Sequence, residues 1–178
     1  MATILPFNGM TPDIDKSAFI AATATIAGDV KIGKDSSVWY GCTIRGDVNK
    51  VRIGQGTNIQ DGSVVHVSGQ FETNIGNNIT IGHMALIHAC TLEDGCFIGM
   101  KSCIMDGCVV EKGAMLAAGA LLTPGKRIPA GELWAGSPAK FVRNVGEKEI
   151  AMMEYTAPHY AKMAQEYIKI ELGAKYDR

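Results

Sequence analysis

The chain is 178 residues long, enough for one domain with a core of its own. Its 17 lysines and arginines nearly balance 18 aspartates and glutamates, which argues against a nucleic-acid or membrane-surface partner. Hydrophobic residues make up 47% but are evenly dispersed, and no apolar run approaches the ~18 residues that span a bilayer.

Residues 1–19 read as an N-terminal lead-in. Their start, "MATILPFNGM", has neither the basic beginning nor the apolar core of a secretion signal, which predicts a cytoplasmic protein. The five cysteines agree: they are odd in number, include no C-x-x-C, and suit reduced thiols packed as small core filler. Across 20–125 the sequence repeats every six residues. Ile20, Ile26, Ile32, Val38 and Ile44 keep this step; Ile53, Ile59 and Val65 follow a three-residue slip. Ile75, Ile81 and Ile87 follow a four-residue slip. One residue is then dropped, and Leu92, Ile98, Ile104, Val110, Leu116 and Leu122 complete the series. A period of six fits neither a helical face nor strand alternation. It fits a hexapeptide β-helix, an all-β solenoid in which each short strand turns one aliphatic side chain into a triangular prism. Small residues four places after the aliphatic (Ala24, Ser36, Cys42, Thr57, Ala114, Ala120) suit tight corners, as do the Gly and Asp of "AGDV", "GKDS" and "GQGT".

Residues 126–145 form a Gly- and Pro-rich connection. The stretch "GEKEIAMMEYTAPHYAKMAQEYIKIELGAKY" then reads as a helix, bounded at 146–173 and packed on the prism. Its apolar stripe is Ile150, Met153, Ala157, Ala161, Ala164 and Ile168. Pro158 should kink or restart it, with Thr156 as a cap.

Three hexapeptides close one coil, so positions three repeats apart stack one strand spacing, ~4.8 Å, above each other. Counted through the slips, Ile44, Val65 and Ile87 share one side of the prism, and the residues that follow them point outward: Arg45, His66 and His88. His66 and His88 therefore lie side by side, at a separation that lets two imidazoles grip one ion. His83 follows Ile81 by two places and falls near a corner on the preceding side, where the coil below carries Gln60 and Asp61. From there it cannot readily swing round to the pair. The simplest geometry has it serve a neighbouring subunit in a closed C3 ring. A solvated or interfacial role for each histidine is the plain alternative. Arg45 with Asp47 or Asp61 reads equally well as a subunit-locking ion pair.

The segments "TIRGDVNKVRIGQGTNIQDGSVVH" (43–66), "IGHMALIHAC" (81–90) and "GELWAGSPAKFVR" (131–143) resemble the gamma-class carbonic anhydrases and their bacterial relatives, and the resemblance covers nearly the whole chain. It implies a left-handed parallel β-helix with a C-terminal α-helix, assembled as a homotrimer with metal sites at the interfaces. There, His66 and His88 of one subunit and His83 of the next would hold Zn2+, with Fe2+ or Co2+ as other ions that three imidazoles accept. The implied activity is reversible hydration of CO2 to bicarbonate, the ion lowering the pKa of water toward ~7. Gln60 would orient the attacking oxygen or the bicarbonate, and Asn58 would help place CO2. Arg45 would anchor the seam through Asp47 and Asp61. Tyr160 resembles a helix tyrosine that some relatives bring close to the metal; core packing of the helix is its other reading.

The chain departs from the family's founding members, which carry a long acidic loop between the first two histidines. Only 16 residues separate His66 from His83, and "VSGQFETN" holds one carboxylate, Glu72; Val48 follows Asp47 where the prototype has another acid. Fast turnover needs a proton path as well as a nucleophile, so metal binding is expected ahead of fast catalysis. Two rivals stay open. One is acyl-CoA transfer or thioester hydrolysis, which hexapeptide β-helices commonly perform with one histidine as base, and fold alone does not decide. The other is a non-catalytic metal- or siderophore-binding trimer.

Overall fold

The structure is a computed structural model that describes residues 1–173; residues 174–176 of the helical stretch lie outside the described residues. Three residues after a rung aliphatic, the backbone takes a left-handed φ: 70° at Gly41, 71° at Gly62, 59° at Met84 and 57° at Lys101. That single residue turns the chain through a corner, and the small side chain after it (Cys42, Ser63, Ala85, Ser102) is buried against the coil. Repeating the move winds the chain into a parallel β-helix with three flat faces.

Each face is one stack of aliphatic rungs. On the first, the histidine face, Ile4, Ile26, Ile44, Val65, Ile87, Ile104 and Leu122 pair in register, all parallel. On the second, the charged face, Ile14, Ile32, Ile53, Ile75, Leu92, Val110 and Ile128 do the same. On the third, the helix face, the stack is Ile20, Val38, Ile59, Ile81, Ile98, Leu116 and Trp134. Every aliphatic of the six-residue series lies in one of these stacks, and all but the half-buried Ile20 are buried. The rungs run beyond 20–125 at both ends, to Ile4 and Ile14 before it and to Ile128 and Trp134 after it. The strand Glu132–Gly136 closes the last coil and pairs antiparallel with Ala139–Asn144.

The register slips are three successive turns of one corner, between the histidine and charged faces. The strand Thr25–Ile32 crosses this corner with one residue, Asp29, between Gly28 and Val30; the strand Thr43–Ile53 crosses it with Asp47–Lys50 between Gly46 and Val51. The next coil inserts a loop between Val64–His66 and Thr73–Ile75. The third turn is one residue short and uses Ala89 at φ 50°.

The helix, α1 (Glu147–Gly173), continues through Pro158 without restarting. Thr156 sits inside it, its hydroxyl donating to the Met152 carbonyl at 2.6 Å rather than capping a new start. Its actual N-terminal clasp is Glu149, which accepts the Gly146 N–H at 2.9 Å. The expected stripe holds at Ala157 and Ala164, which are buried, but Ile150 is exposed. Beside Ala164, Tyr160, Met163, Tyr167 and Ile168 pack on Phe19 and Trp39 of the helix face.

Candidate functional site

The histidine face carries chemistry along both of its edges. At the slipped corner, Val64–His66 and Leu86–His88 pair so that His88 lies directly against His66. Their ring centroids are 5.1 Å apart, and His66 Nδ1 is 3.1 Å from His88 Nε2. Each ring's other nitrogen meets a carboxylate: Asp47 Oδ1 is 3.1 Å from His66 Nε2, and Asp106 Oδ1 is 2.6 Å from His88 Nδ1. Burial pushes the Asp47 carboxyl up, but hydrogen bonds from His66 and Arg45 outweigh it and hold the pKa below its ordinary value. Asp106 follows the same pattern: burial raises it, and the hydrogen bond with His88 helps bring it below normal.

These contacts decide where the ring protons sit. A carboxylate accepts only from N–H, so Asp106 selects the Nδ1–H form of His88, and Asp47 the Nε2–H form of His66. In those neutral forms, two lone pairs face each other across 3.1 Å. Only a cation or a shared proton relieves that repulsion. Two cis donors on an ion with bonds of about 2.0–2.1 Å stand roughly 3.0–3.4 Å apart, so the pair has the chemistry and spacing of two metal ligands, each backed by an outer carboxylate.

At the other edge, His83 Nδ1 is 3.0 Å from Asp61 Oδ2. Asp61 therefore faces His83 within one chain, while Arg45 pairs with Asp47. Beside Asp61 lies Gln60, whose amide donates to Asn58 Oδ1 at 3.1 Å; Asn58 in turn donates to Thr80 Oγ1 at 2.9 Å. Both amides are buried. Tyr160 reaches this edge from α1, its ring 5.4 Å from that of Trp39, and burial followed by the Asp61 charge raises its hydroxyl pKa.

One chain thus gathers Arg45, Asp47, His66 and His88 at one edge, and Asn58, Gln60, Asp61, His83 and Tyr160 at the other. Among the described residues, no three histidine, cysteine or carboxylate side chains of the single chain form an ion-holding group. Asp106 is the site residue that the sequence did not single out. Counting one more coil sets Met105, not Asp106, against His88, because Ile104 stacks on Ile87; Asp106 lies one place further on, at the corner. Glu72, the one carboxylate of the 67–72 loop, is engaged by Asn74 at 2.6 Å and Lys50 at 3.0 Å.

No family model matches the chain. It is 50% identical over 169 residues to gamma carbonic anhydrase 1, mitochondrial, of Arabidopsis thaliana, covering 92% of this chain and 62% of that protein. The chain therefore spans about three-fifths of the length of that relative. It is 49% identical over 152 residues to a probable carbonic anhydrase of Methanocaldococcus jannaschii, covering 85% of this chain and 96% of that one. Among solved structures, a hexapeptide transferase family protein from Anaplasma phagocytophilum superposes with a TM-score of 0.90 at 50% identity, over 93% of this chain and 98% of the other.

Proposed function

This chain belongs to the gamma carbonic anhydrase family, and we propose that it converts CO2 and water reversibly to bicarbonate at metal sites shared between three copies. One observation carries the reading: two carboxylate-held imidazoles turn bare nitrogens toward each other at one edge of a face, and a third imidazole stands at the opposite edge. Three such faces turned toward a common axis would bring the His83 edge of each copy against the His66–His88 edge of the next. The outer residues of that face, Val64, Leu86, Cys103 and Leu121, form an apolar ladder suited to contact between copies.

Three neutral imidazoles leave a bound Zn2+, or Fe2+ or Co2+, positive enough to acidify water toward a pKa of ~7. The chain's own residues do the rest. His66, His88 and the neighbour's His83 would hold the ion, with Asp47 and Asp106 fixing the first two rings. The Gln60 amide, steadied by Asn58, would orient the attacking oxygen and bicarbonate, and Asn58 would help position CO2. Arg45 would brace the seam through Asp47. Tyr160 would close the pocket from α1. Turnover is slow in this proposal, because Glu72 is tied down rather than free to carry protons outward. The assignment to the cytoplasm rests on five free cysteines; among the described residues no helix is long and apolar enough to cross a membrane.

Acyl-CoA transfer needs one histidine as base, and two imidazoles facing each other exceed that need. Metal analysis of protein purified without added ions, then stopped-flow CO2 hydration on the metal-loaded protein, separates these readings. About one ion per chain is expected; less than about one-tenth, unimproved by reconstitution, removes the site. Mixed His66→Ala and His83→Ala subunits should regain sites that neither binds alone, and failure to do so removes the sharing between copies.

A further inference from the structure

Asp47 and Asp106 look equivalent at the histidine pair, but their footings differ. Asp47 stands on the Asp47–Lys50 insertion and divides its carboxylate between His66 and Arg45. Asp106 stands on a six-residue turn locked from both sides. The Gly125 N–H donates to its carbonyl at 2.8 Å, and the adjoining Gly107 N–H donates to the Ala89 carbonyl at 2.8 Å. Its carboxylate meets His88 Nδ1 at 2.6 Å.

We infer that Asp106 is the positioning residue of His88: it holds the ring in the Nδ1–H form with Nε2 presented to the ion. The inference rests on the metal reading above. A histidine ligand held this way needs no reorientation when the ion arrives, and losing such an outer partner weakens metal affinity by roughly 10–100-fold.

Two measurements test it. In the metal-free wild type, long-range imidazole 15N–1H correlation should show the His88 proton on Nδ1; a proton on Nε2 overturns the inference without any variant. By chelator competition with Zn2+ alone, Asp106→Asn should lose roughly 10–100-fold in affinity while the thermal midpoint of the metal-free protein stays put. Asp106→Glu, which restores a carboxylate, should recover most of that loss. Asp106→Asn binding Zn2+ within about twofold of wild type overturns the inference while leaving the metal reading intact. A wild type that binds no Zn2+ removes both.

Discussion

At the corner between the helix and histidine faces, every turn takes six residues: Val38 to Ile44, Ile59 to Val65, Ile81 to Ile87, Ile98 to Ile104 and Leu116 to Leu122. At the corner across the histidine face, three successive turns depart from that count, at Ile44 to Ile53, Val65 to Ile75 and Ile87 to Leu92. The rungs on either side remain in parallel register through all three. A solenoid coil therefore tolerates a change in corner length as long as its aliphatic rungs still stack, and here the tolerance is used. The first insertion carries Asp47 to His66. The regular corner needs no insertion to seat His83 on Asp61, because both occupy the second place after their rungs.

If rungs carry the stability and corners the chemistry, the largest loss should come from a rung. Ile87 is fully buried between Val65 and Ile104. Ile87→Ala should cost about 2–5 kcal/mol in urea unfolding; a loss under ~1 kcal/mol would show that the corners share the load. The next largest should fall where the slipped corner begins. At Gly28, with φ 80°, an added Cβ would stand 2.2 Å from the Gly46 carbonyl oxygen, just before the Asp47–Lys50 insertion. Gly28→Ala should cost roughly 2–4 kcal/mol, adding a backbone clash to left-handed strain. Gly119, on the regular corner at φ 69°, has open space around an added Cβ, so Gly119→Ala should cost only about 1–2 kcal/mol. Equal losses would erase the distinction between the two corners.

The same division explains what could be read from the sequence. The aliphatic period is set by burial, which residue type reports directly, so the stacking of His66 on His88 and the separate place of His83 follow from counting. The ends of the prism are less legible. Trp134 replaces an aliphatic on its rung, and the step from Ile4 to Ile14 is ten residues, so the period is not visible there. Asp106 was hidden for another reason: Asp61 and Asp94 also stand two places after a rung, and nothing local marks the one that faces a histidine. Pro158 does not restart the helix, because its ring is exposed while Ala157 and Ala164 on either side of it are buried, so packing of the helix offsets what the proline costs locally.

The smallest predicted effect lies at the remaining corner, between the charged and helix faces, where coils are joined by a polar ladder. Asn77 Oδ1 accepts the Gln55 N–H at 2.9 Å, and Asp94 Oδ1 accepts the Asn77 N–H at 2.8 Å. The Asn77 backbone bond, then its side-chain amide, hold the Asp94 carboxyl below its ordinary pKa. The ionised form is thus favoured by folding. Its contribution is complete above the unfolded value of ~3.9 and is lost as pH falls through the lower folded value. Asp94→Asn keeps an acceptor for the N–H but cannot titrate. It should cost less than ~1 kcal/mol at neutral pH, because the exposed carboxylate is screened. Below pH ~4 the thermal midpoint of the variant should fall less steeply with acid than that of the wild type. Parallel slopes would mean that the ladder holds the corner by shape alone, as the left-handed turns do.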